Sequence, residues 1–483
     1  MPNIRRSLAW SYGTKYLLLV IQLVSTVIIA RLVTPDDIGI YSVAAVFIGL
    51  GQLIREFGIN RYIVQEPDLT SARIRSASTL NLAFGWTAGL IIFLAAGPTG
   101  DFYQRPEVQE VMQLLTINFF FVPLGAITFA LLRREMRFGD IMVIRVVSAA
   151  VGTTVGIVTA FYGEGYRALV WSAISGTVTT VLLCFVYKPR DVSLVPGFAE
   201  ISHVFKFCRY AGADSIVSHI GSSSPEMIFG KVLGMESVGI FSRATGTITL
   251  FNSSVLEGLK GVVLPVFSQK VREGSASNVS YGHAVSCLTS LTWPFFSVLA
   301  ILVYPTIMTL YGEQWLAAAP LIQWMCFGAI IASLLHLSVD VLTAAGQIRA
   351  VFKINLTMVL LRLALILLVA PYGLIAVVAV LQFPTLIRLA LVSWQLARHI
   401  DFRLSNISKS LFQNALISII TASPAATAVA LTNFQLNGSL LLFFAVLVLC
   451  ACFWLAAIFT IKPPIHNEFS SLTDKVRKSR SKA

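Results

Sequence analysis

Continuously apolar stretches of about 20 residues or more follow one another from residue 10 to residue 461. Each matches the length a helix needs to cross roughly 30 Å of hydrocarbon. Only helices and closed barrels satisfy their own backbone groups in lipid, and these runs do not alternate every second residue as barrel strands do. Fourteen runs can be read. Six lie near 10–32, 38–60, 77–98, 108–131, 140–162 and 166–187, and six near 209–231, 237–259, 284–309, 318–345, 351–370 and 373–397. The last two lie near 410–432 and 439–461. With 56% apolar and 12% charged residues and a mean hydropathy of +0.79, the chain is expected to be an all-α polytopic membrane protein of about 14 transmembrane helices.

A short turn is written twice. Ile38, Gly39, Ile40, Tyr41 and Ser42 recur as Val238, Gly239, Ile240, Phe241 and Ser242, and Tyr103 matches Tyr311. Tyr162-Gly163 matches Tyr372-Gly373. Spans one to six and seven to twelve therefore read as two parallel copies of one unit, an arrangement that transporters use to build a central site. The expected organisation is a six-helix bundle over 1–190, a cytoplasmic linker over 191–208 and a second six-helix bundle over 209–400. Two further helices over 410–461 and a basic tail over 462–483 complete it.

Basic residues set the orientation. The termini and even-numbered connections hold 26 of the 36 Lys and Arg, whereas the odd-numbered connections hold only Arg31, Arg105, Arg167 and Lys231. Both termini are expected in the cytoplasm of a bacterial inner membrane, with the basic tail against anionic headgroups. That accounts for the formal charge of +13 without nucleic acid. Arg5 and Arg6 precede a run long enough to stay in the bilayer, so no cleaved signal peptide is expected. The six cysteines, Cys184, Cys208, Cys287, Cys326, Cys450 and Cys452, lack metal-ligand spacing and read as small apolar residues.

No connection exceeds about 25 residues, which leaves no soluble domain for a nucleotide site. Gly230-Lys231 lacks the remainder of a phosphate-binding loop. A membrane polymerase would need a catalytic loop, and the external connections are short. The chain is expected not to be an enzyme and to carry no cofactor.

The informative residues are charges inside spans, each costing at least about 2.5 to 3.5 kcal/mol at mid-bilayer unless it faces a cavity or a partner. They are Lys15, Arg55, Glu56, Arg145, Asp214, Glu226, Arg243, Glu257, Arg362 and Arg388, with Asp340 near an inner end. Helical spacing adds polar stripes. Span one carries Ser11, Lys15, Gln22 and Thr26, and span two carries Gln52 and Arg55. Span seven carries Ser215, His219, Ser222 and Glu226, and span eight Arg243, Thr247, Ser254 and Glu257. Lys15, Arg55, Glu257 and Asp340 lie near enough to an inner end to snorkel as an alternative to a functional role. Glu226 and Arg243 are placed either to pair or to face a cavity, and Arg145 reads as an anchor. His219 and His336 read as satisfied polar contacts. Pro225, beside Gly221 and three serines, is expected to loosen span seven.

Residues Ala30-Arg31-Leu32-Val33-Thr34-Pro35-Asp36-Asp37-Ile38-Gly39-Ile40-Tyr41 resemble the "ARLLTPEDFGIYAL" signature of the polysaccharide transporter family. These are Wzx-like lipid-linked oligosaccharide flippases of the multidrug/oligosaccharidyl-lipid/polysaccharide exporter superfamily. The motif covers about the first 65 residues; span count and two-bundle layout extend the likeness along the chain.

The resemblance implies export of an isoprenoid-pyrophosphate-linked oligosaccharide from the inner to the outer leaflet by alternating access, for capsule, exopolysaccharide or O-antigen (lipopolysaccharide) synthesis. Its cavities are typically cationic. Lys15, Arg55, Arg243, Arg362 and Arg388, with Gln22 and Gln52, are the expected substrate-binding residues. Asp214, Glu226, Glu257 and Asp340 are the candidates for coupling to H+ or Na+. The expected partners are the lipid-linked substrate, membrane lipids, and polysaccharide polymerase and export proteins. Two alternatives stay open: a cation-coupled multidrug or metabolite exporter of the same superfamily, and a membrane glycan polymerase.

Overall fold

The structure, a computed structural model, describes residues 4–56, 58–189, 197–208, 213–250, 252, 278–344, 346–400, 402–432 and 440–466. Every element of three or more residues among them is helical. Among the described residues, twelve helices are long and apolar enough to cross a membrane, where fourteen spans are expected along the whole chain. Helix α9 (Ala213–Val232) occupies the place of the seventh span, but its serines, Asp214, His219 and Glu226 make it too polar to count among the twelve. Helix α10 is described over 235–250, and the eighth span runs on into residues outside the described set. The protein is multi-pass.

The chain divides into two compact units, residues 1–242 and 243–483. In the first, α1 (Ile4–Leu32), α2 (Pro35–Glu56), α4 (Ser71–Tyr103), α5 (Pro106–Arg134), α6 (Phe138–Phe161) and α7 (Tyr166–Val186) are the long apolar helices. The short α3 (Ile59–Gln65) and α8 (Ile201–Cys208) lie between them in the chain.

Thr34-Pro35-Asp36-Asp37, the heart of the signature, is a helix start. The Thr34 hydroxyl donates to Asp37 Oδ2 at 2.6 Å, and the Asp37 N–H returns a bond to Thr34 Oγ1 at 3.3 Å. This reciprocal box satisfies orphan donors at the start of α2, and Pro35 fits the first turn because it has no N–H to lose. Asp37 Oδ1 also accepts from the Tyr166 N–H at the head of α7, and Asp36 pairs with Arg105 at 3.3 Å. The motif thus ties three helix starts together.

Lipid is as apolar as leucine, so helices in a bilayer associate mainly through close packing of small residues. Gly85 and Gly89 of α4 admit Phe119 and Pro123 of α5, where an added Cβ would collide. Gly152 of α6 lies against Gly176 of α7 in the same way.

The second unit holds α11 (Asn278–Ile301), α12 (Val303–Leu310), α13 (Ala319–Ser333), α14 (Ser338–Ala344), α15 (Ile348–Val369), α16 (Leu374–Val380) and α17 (Gln382–Ile400). Helices α18 (Ser408–Thr432) and α19 (Leu440–Ile461), the expected extra pair, follow. Asn414 of α18 is fully buried and donates to the Ser286 carbonyl and Thr289 Oγ1 of α11 at 2.9 and 2.8 Å. Trp454 Nε1 of α19 donates to the Ser290 carbonyl at 3.1 Å.

Equivalent turns of the repeat share a positive φ. Gln104 and Gly312, each following the matched tyrosine, are left-handed at φ 56° and 96°, as are Gly163 and Gly373 at 82° and 98°. Each of these points needs a residue that tolerates positive φ.

Candidate functional site

Two adjoining cavities lie among the described residues of the first unit. The smaller, about 500 Å³, is lined by Arg55 and Glu56 of α2, Phe129 and Arg133 of α5, Arg145 of α6 and Thr177 and Thr180 of α7, among others. Arg55 is buried, and its Nη2 lies 3.1 Å from Glu56 Oε1. Phe129 organises the other two cations. The guanidinium carbons of Arg133 and Arg145 each lie 5.3 Å from its ring centre, within cation–π range. The two guanidiniums are close enough to repel one another. Three arginines against one glutamate leave a net positive cavity, which favours an anion.

The larger cavity, about 580 Å³, shares Arg145, Thr177 and Thr180 with the first. Gln22, Ser25 and Thr26 of α1, Ser148 and Thr153 of α6 and Ser172 of α7 also line it. Its walls are polar but, apart from Arg145, uncharged.

The expected substrate residues are distributed over the two units. Arg55 and Gln22 line the cavities of the first unit. Lys15 is half-buried on α1 and Gln52 exposed on α2, and neither lines these two cavities. Arg243, in the second unit, stacks over Tyr311 and Trp315 at 5.0 and 4.7 Å, and its Nε is buried with no hydrogen-bond partner. Arg362 of α15 and Arg388 of α17 are neighbours that repel each other, with Asn355 Oδ1 accepting from Arg388 at 3.4 Å. No carboxylate pairs with either among the described residues.

Of the coupling candidates, Glu226 has a buried carboxylate oxygen, Oε2, without a hydrogen-bond partner. Asp214 and Asp340 sit on α9 and α14 with side chains outside the described set, and Glu257 lies outside it altogether. His219 Nε2 lies 3.1 Å from the Val46 carbonyl, a contact in which only the ring can donate. His336 makes a similar contact with the Ala332 carbonyl, so both histidines are satisfied polar residues. Helix α9 passes through Pro225 without interruption.

Sequence reasoning missed Arg133, which counts there as a basic residue of a connection, and read Arg145 as an anchor although it lines both cavities. The spacing of Phe129 and Arg133, one helical turn apart, was the available signal. The hydroxyls of α6 and α7 were missed as well, because serine and threonine are unremarked on membrane helices.

Comparison with known proteins gives the family. Residues 28–320, more than half the chain, match the family model described as polysaccharide biosynthesis protein. The chain belongs to that family. The lipopolysaccharide biosynthesis protein WzxC of Escherichia coli (strain K12) is 21% identical over 72% of this chain and 71% of its own length. The succinoglycan biosynthesis transport protein ExoT of Rhizobium meliloti (strain 1021) is 24% identical over 71% and 70%. Among solved structures, the lipid II flippase MurJ in an inward closed conformation superposes with a TM-score of 0.75 at 14% identity. That alignment covers 93% of this chain and 98% of MurJ, and shows that the two share a fold.

Proposed function

We propose that the protein is a flippase that moves an isoprenoid-pyrophosphate-linked oligosaccharide from the inner to the outer leaflet of a bacterial inner membrane. The observation that carries this reading is the arginine cavity of the first unit, where Arg55, Arg133 and Arg145 outnumber Glu56 among membrane-spanning helices. A pyrophosphate offers several charged oxygens in one place and matches guanidinium groups through charge-assisted, often paired hydrogen bonds. A cationic drug would be repelled from the same cavity. The names of the relatives, in lipopolysaccharide and succinoglycan biosynthesis, support a glycan for capsule, exopolysaccharide or O-antigen as the cargo.

In this account Arg55, Arg133 and Arg145 hold the pyrophosphate. Arg362 and Arg388, half-buried and without a paired carboxylate among the described residues, offer a second cationic station, with Arg243, Lys15, Gln22 and Gln52 as further contacts. Transport proceeds by alternating access with both termini in the cytoplasm, and the protein is a carrier rather than an enzyme. Coupling to H+ or Na+ runs through Glu226, whose buried oxygen lacks a partner, or through Asp214, Glu257 or Asp340. Polysaccharide polymerase and export proteins are its partners downstream.

The test is reconstitution in proteoliposomes with a fluorescent lipid-linked oligosaccharide whose leaflet is read with a membrane-impermeant quencher. Wild-type protein should equilibrate the probe between leaflets, and Arg145→Gln should slow this at least tenfold. Equal rates with and without protein would rule the reading out.

A further inference from the structure

Helix α5 reaches the arginine cavity through a weak point. Pro123 lies inside it and has no N–H to give the Phe119 carbonyl, so the hydrogen-bond ladder lacks one rung there. The α5 residues that line the smaller cavity begin beside it at Val122 and run on through Phe129 to Arg133. Membrane helices tolerate such a gap when a neighbour supports it.

Helix α4 supplies the support. Asn81 is buried, 2% exposed, and its Nδ2 donates to the Pro123 carbonyl at 2.9 Å. Gly85 and Gly89 follow on the same face at steps of four. A Cβ on Gly85 would collide with Pro123 Cγ, and one on Gly89 would meet Phe119 Cβ at 2.8 Å, so the two helices interlock at both ends of the missing rung. The same Cβ on Gly85 would lie 3.5 Å from Arg55 Cγ. The stem of the buried Arg55 and the proline ring therefore share one glycine seat.

Beyond Pro123 the other two cations depend on one ring, since Arg133 and Arg145 each lie 5.3 Å from the centre of Phe129. A shift of α5 at Pro123 moves Phe129, and both cations with it, relative to Arg55.

We infer that Asn81 is a positioning residue: by fixing α5 at Pro123 it sets the spacing of the three arginines, and that spacing selects a pyrophosphate over a single phosphate. The inference rests on the flippase reading and adds to it the residue that tunes the anion site. A pyrophosphate carries oxygens on two phosphorus centres and engages guanidiniums held a fixed distance apart, whereas a single phosphate needs only one of them. Asn81 itself lines neither cavity and acts through the helix it braces.

The test uses the full-length protein in lipid nanodiscs and two probes of equal isoprenyl chain length, a pyrophosphate and a monophosphate. Wild-type protein should bind the pyrophosphate about tenfold more tightly, the gain expected of one added charge-assisted pairing. Asn81→Ala should cut that ratio at least threefold. Pro123→Ala, which restores the rung and removes the ring, should do the same, and the double variant should lose no more than either alone because both act on one contact. Gly85→Ala presses on the proline without removing a hydrogen bond and should lower the ratio independently. Asn414→Ala controls for a purely structural loss: it deletes another buried asparagine brace, between α18 and α11, and should lower the unfolding temperature with the ratio unchanged. A ratio that survives in folded Asn81→Ala or Gly85→Ala protein, losses that multiply in the double variant, or an equal loss in Asn414→Ala would overturn the inference. Wild-type protein that binds the two probes equally would overturn it as well. Failure of wild-type protein to bind either probe would instead remove the flippase reading itself, and this inference with it.

Discussion

Ser42 and Ser242, equivalent residues of the repeat and 200 positions apart, share a hydrogen bond of 3.0 Å between their hydroxyls. The contact is reciprocal around them. A Cβ on Gly39 would overlap the Met235 carbonyl, and one on Gly239 would overlap the carbonyl of Pro35, the residue equivalent to Met235. The duplicated turn is therefore a place where its two copies meet, and glycine is needed because backbone approaches backbone.

A cysteine pair should report this directly. Ser42→Cys with Ser242→Cys should cross-link on mild oxidation, because the two side-chain oxygens already lie 3.0 Å apart. A shift in mobility after cleavage of the intervening chain would show it, and a control pair at Ser42 and Ser237 should remain reduced.

Gly39→Val and Gly239→Val should each destabilise the protein by about 1–3 kcal/mol or more, since overpacking against backbone has no flexible side chain to relieve it. Thermal unfolding in detergent measures the loss. Gly234→Ala should be milder, because nothing lies within 4 Å of its added Cβ and only its φ of 86° opposes the change.

Trp315 is fully buried beneath Arg243, 4.7 Å from the guanidinium carbon. Trp315→Ala should cost about 3–5 kcal/mol of stability through the cavity it leaves. Arg243→Lys should fall well short of wild type in unfolding temperature, because a point charge does not stack on two rings as a planar guanidinium does.

Arg362 and Arg388 repel each other with no carboxylate to compensate among the described residues. Arg362→Gln should therefore raise thermal stability while lowering transport. Opposite signs in the two assays would mark a residue retained for ligand rather than for folding.

The membrane class, the repeat and the two extra helices were legible in the sequence because apolar length and the spacing of matched turns survive without knowledge of packing. Thr34 and Asp37 were recognisable as a signature, but their work as a helix cap joined to Tyr166 required coordinates. The site was only partly legible. Arg55 stands out as a charge within an apolar run, whereas Arg133 sits among basic residues that set topology and gains its role from Phe129 and Arg145 across a helix interface. Long-range placement made these residues a site, and no local pattern encodes it.

The most direct measurement follows surface polysaccharide and lipid-linked oligosaccharide together in a strain lacking this protein, with wild-type or Arg145→Gln copies restored. The account predicts that surface glycan disappears while its lipid-linked unit persists, and that the wild-type copy alone restores export fully. Unchanged surface glycan with a rise in sensitivity to cationic drugs would contradict it and assign the protein to drug export instead.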